Sequence, residues 1–178
     1  MKSIIFENYK IFIGENILRN IKLDSYKKIC LLTDKNQKNN ILDYFLKEIK
    51  SEFDIIEIES SEINKNISSV LNIWNFLSQN NYNKNSLIIN LGGGVICDVG
   101  GFCASTFKRG IDFLNIPTTL LSMVDASIGG KNGINFLGFK NQIGTFKNPI
   151  SVYIDTNFLN TLETNQWLSG YVEIIKSA

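Results

Sequence analysis

The segment LIINLGGGVICDVGG, residues 87–101, decides the fold of this chain. Its first residues are mostly β-branched or apolar and predict a buried strand, and three consecutive glycines follow. Gly92, Gly94 and Cys97 occupy the three positions of a G-x-G-x-x-G motif, with cysteine at the last one. Glycines at such a turn let the backbone approach a pyrophosphate, whose charge the amides of the next helix can meet. The motif fits a simple glycine turn as well as a dinucleotide site.

Short β-rich runs alternate with segments of helical period along the chain. This alternation predicts an α/β fold with a Rossmann-like, mainly parallel sheet and crossover helices. Amphipathic helices are predicted over 41–49, 63–77 and 165–176, each with its apolar residues on one face. Residues 118–146 are rich in glycine and poor in periodicity, so we expect loops with short helices there. The predicted strands are 10–13, 28–33, 55–58, 87–90, 113–116 and 151–154.

The composition limits which function classes fit. The 178 residues carry 18 basic and 17 acidic side chains without a basic stripe, so we expect no nucleic-acid partner. No apolar run approaches the ~18 residues of a membrane span and no signal sequence is recognisable, so we expect a soluble cytoplasmic protein with no membrane partner. Three cysteines lack metal or disulfide spacing and are predicted to be small buried residues. The absence of histidine removes the commonest metal ligand and acid–base group.

Further residues suited to anion binding follow several predicted strands. Asp98 lies in the helix after the glycine turn, Lys and Arg at 108–109 follow that helix, and Gly-Gly-Lys at 129–131 offers amides plus an ammonium. Singly, each has another explanation: the helix dipole favours Asp98 without a ligand, and the basic residues fit a solvated helix end or a surface turn. All of them follow carboxyl ends of predicted parallel strands, where open α/β sheets bind ligands. Together they predict a phosphate or nucleotide site.

Four ordered blocks of the sequence resemble the 3-dehydroquinate synthase family. They read LGGGVICDVGGF (91–102), KRGIDFLNIPTTLLSMVDASIGGK (108–131), GFKNQIGTF (138–146) and SGYVEIIK (169–176). The resemblance implies an NAD-dependent lyase of the shikimate pathway, within the sugar-phosphate cyclases. In that family, NAD oxidises the C5 hydroxyl of 3-deoxy-D-arabino-heptulosonate 7-phosphate and phosphate is eliminated. The ketone is then reduced again, and an aldol step closes the ring to 3-dehydroquinate.

The matched motifs also imply roles for single residues. Asp125, Lys131, Asn141 and Lys176 would hold the sugar-phosphate substrate, and Arg109 would reach its phosphate from the neighbouring subunit of a homodimer. The residues that the resemblance implies for NAD binding are Asp34, Asn36, Glu62, Lys65, Gly93, Gly94, Val95, Ile96, Cys97, Asp98, Thr118, Thr119, Lys131, Lys140, Phe158, Leu159, Asn160 and Thr161.

The sequence departs from the family pattern at three places in the implied cofactor site, one of which is 138–140, where Gly-Phe-Lys differs slightly from the usual acidic version of that loop. Cys97 stands where the family usually has glycine, and a Cβ there would cost of order 1 kcal/mol if the turn required a positive φ. Cofactor affinity would then be reduced. Ser60 and Ser61 replace the Asp-Gly pair that normally precedes Glu62.

The resemblance predicts an NAD-binding α/β domain over 1–155 and the start of a truncated helical metal and substrate domain over 156–178. Glu173 would be a ligand of the catalytic zinc or cobalt ion, although with Lys176 it also fits an ordinary i,i+3 ion pair. A catalytic zinc takes three protein ligands, so we expect no firm metal binding without the two histidines of the family's C-terminal half. We expect part of a synthase that is inactive alone, either a fragment or a half completed by a separate chain. The alternatives are another sugar-phosphate cyclase and a non-catalytic NAD-binding remnant.

Overall fold

A computed structural model describes residues 1–36 and 39–177, and within these residues nine strands and four α-helices form. The strands are β1 (Lys2–Phe6), β2 (Tyr9–Gly14), β3 (Ile29–Asp34), β4 (Asp54–Ile58), β5 (Leu87–Gly92), β6 (Asp112–Pro117), β7 (Lys131–Phe136), β8 (Phe139–Phe146) and β9 (Ser151–Asp155). The helices are α1 (Asn39–Glu48), α2 (Ile67–Gln79), α3 (Gly94–Thr106) and α4 (Thr164–Ser177).

Seven of the described strands form one sheet in the order β1-β2-β9-β6-β5-β3-β4. Neighbouring strands are parallel, apart from the antiparallel pair of β1 and β2. This confirms the predicted α/β, Rossmann-like fold and all six predicted strands. The sequence did not reveal β1, because its exposed edge residues show no alternation of apolar and polar side chains.

The sheet has an apolar core on each of its two faces. On one face, Leu31 and Ile89 pack with Phe45 of α1 in one cluster of buried residues. On the other face, Leu32 and Ile88 belong to a second cluster that includes residues of α2 and α3. A parallel sheet covered on both sides buries successive side chains of its strands, which explains the unbroken apolar run at the start of β5.

The helices α1 and α4 lie where the sequence predicts them, but α2 begins later. Its N-cap is Asn66, whose side-chain oxygen accepts hydrogen bonds from the amides of Ser68 at 2.9 Å and Ser69 at 3.2 Å. Ile63 precedes the helix in a 3-10 turn and is 85% exposed, so its predicted place on the apolar face was wrong. Ile63 lies four residues before Ile67, a spacing that also occurs on the apolar face of a helix. Asn66, a residue type that often caps helices, was the signal that α2 begins at Ile67.

The prediction of loops with short helices over 118–146 was largely wrong. One π-helical turn, Ser122–Ala126, is present, but β7 and β8 form an antiparallel hairpin outside the main sheet. Most of β8 is exposed, so its sequence carries no buried face that would mark a strand. Glycines at 133, 138 and 144 further obscure the alternating pattern.

Two adjacent glycines of α3 allow the helix to sit directly on two asparagine side chains. A Cβ at Gly100 would lie 1.9 Å from Oδ1 of Asn90 in β5, and a Cβ at Gly101 would lie 1.8 Å from Oδ1 of Asn132 in β7. The Nδ2 of Asn132 donates to the carbonyls of Gly130 at 2.8 Å and Lys147 at 2.9 Å. The hairpin is therefore held against α3 by a polar side chain that fits only beside glycine.

The cysteines and helices agree with the expectations from composition. Cys30, Cys97 and Cys103 are buried and unpaired, as predicted. In the part of the chain that the structure describes, no helix combines the length and the apolar character needed to cross a bilayer.

We expect Gly101→Ala to lower the free energy of unfolding by about 2 kcal/mol, the usual size of an overpacking effect, because the new methyl group would collide with Asn132. Urea unfolding followed by circular dichroism measures the change. Gly93→Ala is the matched control, since its Cβ would lie 3.4 Å from the nearest atom of Thr119. The control should lose less than about 1 kcal/mol, and equal losses in the two variants would contradict this packing.

Candidate cofactor and substrate site

The glycine turn joins the end of β5 to the start of α3. The first hydrogen bond of the helix runs from the amide of Cys97 to the carbonyl of Gly93 at 3.1 Å, so the helix does not use the amides of residues 94–96. Amides at this position attract an anion. A Cβ at Gly92 would lie 2.6 Å from the side chain of Ile96, so this turn requires glycine. The turn thus offers a chemically suitable place for a pyrophosphate.

The side chains of Ile96 and Cys97 are buried in the protein interior. Cys97 lies within α3 and is not among the residues with positive φ, so the strain considered for a cysteine at this position does not arise. These two residues would therefore contact a cofactor through their backbone only.

A cleft of about 200 Å³ opens at the carboxyl ends of β3, β5 and β6. Six of the residues implied for NAD binding line it: Asp34, Asn36, Gly93, Thr118, Thr119 and Thr161. Four further residues line it that were not implied: Ile41, Ser60, Glu163 and Gln166. Glu163 and Gln166 lie just after the implied segment 158–161, and this proximity was the available signal for them.

Asp34 is held at the edge of the cleft by three hydrogen bonds. Its Oδ1 accepts from the amide of Asn36 at 3.0 Å and from the amide of Ser60 at 3.2 Å, and the Ser60 hydroxyl donates to its Oδ2. The serine that departs from the family pattern therefore orients this carboxylate. In Rossmann-like sheets, an acidic residue near the glycine turn suits the hydroxyls of a ribose.

Asp155 anchors the chain segment that follows β9. This carboxylate is fully buried, and its oxygens accept hydrogen bonds from the amides of Ile17 at 2.9 Å and Asn157 at 3.1 Å and from the Tyr44 hydroxyl at 3.0 Å. It thereby fixes the start of the 3-10 segment Thr156–Thr161.

Within that segment the implied NAD residues take different positions. Phe158 is buried and packs edge-on against Tyr44, with ring centroids 5.5 Å apart, while Leu159 packs against the same core. Asn160 is exposed, and Thr161 lines the cleft. Only Thr161 of these four therefore presents its side chain to the cleft.

A buried ion pair lies beside the first turns of α3. Lys65 is only 5% exposed, and its ammonium donates to Oδ2 of Asp98 and, at 2.6 Å, to Oδ1 of Asn141. Burial raises the pKa of Asp98 to about 6, Lys65 lowers it, and the negative charges of Asp125 and Glu62 raise it. Five residues implied for cofactor or substrate binding therefore share one local electrostatic environment.

Glu62 also connects this cluster to the hairpin. Its Oε1 accepts from Nδ2 of Asn135 at 2.8 Å and lies 3.9 Å from the ammonium of Lys140. The Lys140 side chain is largely exposed, so this ion pair contributes little to stability. Both residues lie where an incoming ligand can reach them.

A second pocket of about 320 Å³ lies on the hairpin. Its described lining contains no acidic side chain and includes two residues implied for substrate binding, Lys131 and Asn141. Lys131 was also implied for NAD, but it does not line the cleft at the glycine turn. The residues of this hairpin pocket are Lys131, Asn132, Gly133, Asn141, Gly144, Thr145 and Phe146.

Arg109 lies beyond the opposite end of α3 from the glycine turn. The 13 residues of α3 rise about 20 Å at roughly 1.5 Å per residue. Lys108 and Arg109 have φ values of 52° and 66°, a strained region for residues other than glycine. Arg109 therefore does not meet the cleft residues of its own subunit.

Glu173 and Lys176 pair on α4 at 3.1 Å, as their spacing predicts. Among residues 1–36 and 39–177, no three side chains of Asp, Glu or Cys lie close enough together to hold a metal ion. A catalytic zinc takes three protein ligands, so the residues present here do not fit one.

We expect Lys65→Met to raise the pKa of Asp98 above its value of about 6, because the nearby positive charge is removed while the burial stays. Carboxyl ¹³C NMR titration measures the shift, and the exposed Lys84→Met serves as control. The pKa of Asp98 already exceeds the ordinary 3.8, so its ionisation should destabilise the wild-type fold as pH rises from about 4 to about 6. A lowered pKa in Lys65→Met would contradict the assignment of this pair.

Comparison with known proteins identifies relatives over the whole chain. The model of the 3-dehydroquinate synthase N-terminal region matches residues 55–169, more than half of the chain. The 3-dehydroquinate synthase of Pelagibacter ubique (strain HTCC1062) is 46% identical over 177 residues, which cover 96% of this chain and 48% of that protein. The chain thus spans about half the length of the curated relatives it matches.

Solved structures of two cyclases share the fold. One is 2-deoxy-scyllo-inosose synthase complexed with carbaglucose-6-phosphate, NAD⁺ and Co²⁺, with a TM-score of 0.90 and 26% identity over 98% of this chain and 51% of that one. The other is ValA, the 2-epi-5-epi-valiolone synthase from Streptomyces hygroscopicus subsp. jinggangensis 5008 with NAD⁺ and Zn²⁺ bound, with a TM-score of 0.87 and 28% identity over 100% of this chain and 51% of that one. On the match of its family model, the chain belongs to the 3-dehydroquinate synthase family.

Proposed function

We propose that this chain forms the NAD-binding wall, and part of the sugar-phosphate-binding wall, of a 3-dehydroquinate synthase. The observation that carries the proposal is the convergence of six implied NAD residues on one cleft beside the glycine turn. The amides at the start of α3 suit the pyrophosphate and Asp34 suits a ribose. Bound NAD would supply the hydride acceptor for oxidation of a substrate hydroxyl. Residues 1–155 would form the cofactor domain, and 156–178 would begin a helical metal and substrate domain.

The hairpin pocket supports a phosphorylated substrate. Lys131 supplies a positive charge, and Asn141 and Thr145 supply polar groups in a lining without acidic side chains. Asp98 and Asp125 lie near the other end of this region and suit the hydroxyls of a sugar acid such as 3-deoxy-D-arabino-heptulosonate 7-phosphate. The charge distribution therefore orients the phosphate toward the hairpin and the polyol toward α3.

Arg109 bears on the proposed homodimer. It lines neither the cleft nor the hairpin pocket of its own chain, and the family resemblance implies that it reaches the substrate phosphate from a neighbouring subunit. Strained conformations at two successive non-glycine residues are typical of functional segments.

A second candidate is another sugar-phosphate cyclase. Support for it comes from the similarity of the fold to 2-deoxy-scyllo-inosose synthase, with a TM-score of 0.90, and to 2-epi-5-epi-valiolone synthase, with a TM-score of 0.87. The enzyme assembled with its complementary half would separate the candidates by releasing phosphate from one sugar phosphate and not from the others.

We expect the chain to bind NAD with a dissociation constant in the millimolar range, because its cleft of about 200 Å³ is smaller than the ~300–1,000 Å³ of ordinary ligand sites. Asp34→Ala should weaken binding at least about tenfold, or ~1.4 kcal/mol, through loss of charge-assisted hydrogen bonds. Titration calorimetry measures both values. Asp43→Ala, an exposed carboxylate of α1, is the control and should leave affinity unchanged. No heat from the wild-type chain at millimolar NAD would remove the basis of the proposal.

We expect no release of phosphate from the heptulosonate by this chain alone, with or without zinc. Glu173 is the single metal ligand implied here, and one carboxylate does not hold a catalytic zinc. A phosphate assay at saturating NAD measures the rate. A zinc-dependent rate above the background of a metal-free reaction would overturn this expectation, and the same assay with a supplied C-terminal half is the positive control.

A further inference from the structure

Asn141 of β8 is held in one side-chain orientation by Lys65. Its backbone has a φ of 52°, and its amide donates to Oδ1 of Asn135 at 2.9 Å. Its side-chain oxygen lies 2.6 Å from the Lys65 ammonium. An ammonium group can only donate hydrogen bonds, so the atom that faces it must be the amide oxygen. The amide nitrogen of Asn141 therefore faces away from Lys65.

The two residues of this contact differ in their relation to the hairpin pocket. Asn141 lines that pocket, whereas Lys65 does not. Among the described residues, Nδ2 of Asn141 has no hydrogen-bond acceptor, so both of its protons are available to a ligand. Together with Lys131, which lines the same pocket, it offers donors that suit the oxygens of a phosphate group.

Lys65 itself has little freedom to move. Its side chain is nearly inaccessible to solvent and pairs with Asp98 on α3. Its carbonyl accepts a hydrogen bond at 2.8 Å from the amide of Asn135 in β7, which ties this segment to the hairpin. A buried ammonium fixed on two sides can hold the amide oxygen of Asn141 in place before any ligand arrives.

We propose that Lys65 is a positioning residue for the substrate pocket: by holding the oxygen of Asn141, it directs the amide nitrogen into the hairpin pocket and creates a donor site for phosphate. The inference rests on the proposed sugar-phosphate substrate but requires no NAD. It gives Lys65 a second role besides its implied place near the cofactor, because the same ammonium contacts Asp98 on the cofactor side and Asn141 on the substrate side.

The test uses inorganic phosphate and the ¹⁵N-labelled chain without NAD. In the wild type, the side-chain amide signals of Asn141 should shift saturably with phosphate. Lys65→Met should weaken phosphate binding at least about tenfold, because the side-chain amide of Asn141 is then free to flip and to exchange the positions of its oxygen and nitrogen. Lys65→Arg keeps a cation that can only donate hydrogen bonds and should stay within about threefold of the wild type. The exposed Lys84→Met should bind phosphate as the wild type does.

A second measurement on the unmodified chain keeps the inference testable if Lys65→Met does not fold. The Nδ2 protons of Asn141 should show nuclear Overhauser effects to Gly144 or Phe146 in the pocket and none to the ε-methylene protons of Lys65. Strong effects to Lys65, or unchanged phosphate affinity in a folded Lys65→Met, would overturn the proposal. A failure of NAD binding with phosphate binding intact would instead count against the proposed function alone.

Discussion

The close packing of α3 against β5 and the hairpin is the constraint on which the rest of the structure depends. Gly100 lies against Asn90 and Gly101 lies against Asn132, at separations where any Cβ would collide. This approach fixes the height of α3 above the sheet and therefore the position of its first turn over the cleft. It also fixes β7, so a single pair of glycines places the glycine turn, Asp98 and the hairpin pocket relative to one another.

Charge divides the site into two regions around this helix. The pocket on the hairpin is lined by Lys131 and polar groups, whereas Asp98, Asp125 and Glu62 lie together near the start of α3. Lys65 is buried at the boundary between the regions and contacts both. Burying a charge is costly unless it is paired, so the ion pair with Asp98 makes a lysine at this boundary tolerable. The same pairing leaves the lysine able to hold Asn141.

The sequence predicted the central strands of the sheet well because β3, β5, β6 and β9 are buried on both faces. An apolar run such as 87–89, with glycines soon after it, is visible in the sequence alone. The implied NAD residues follow the ends of such strands. The hairpin could not be predicted in the same way, since β8 is exposed and the side chain of Asn135 in β7 bonds to Glu62, 73 positions away in the sequence. The Lys65–Asn141 contact joins residues 76 positions apart and has no local pattern.

The residues that the family resemblance implies for the cofactor include some whose side chains cannot reach it. Ile96, Cys97 and Phe158 were implied for the cofactor on equal terms with Asp34 and Thr161, yet the first three bury their side chains. Their spacing in the motif reflects packing beneath the cleft as much as contact with a ligand.

The placement of Glu173 and Lys176 depends on how α4 meets the body of the protein. A Cβ at Gly170 would lie 2.6 Å from Leu120, so glycine lets the helix touch the residues that follow β6. Farther along, Tyr171, Val172 and Ile175 are exposed and add no apolar packing to this contact. Helical propensity and a surface ion pair contribute only a few tenths of a kcal/mol each in such a position. The orientation of the implied metal ligand therefore depends on the close contact of Gly170 with Leu120 and Leu121.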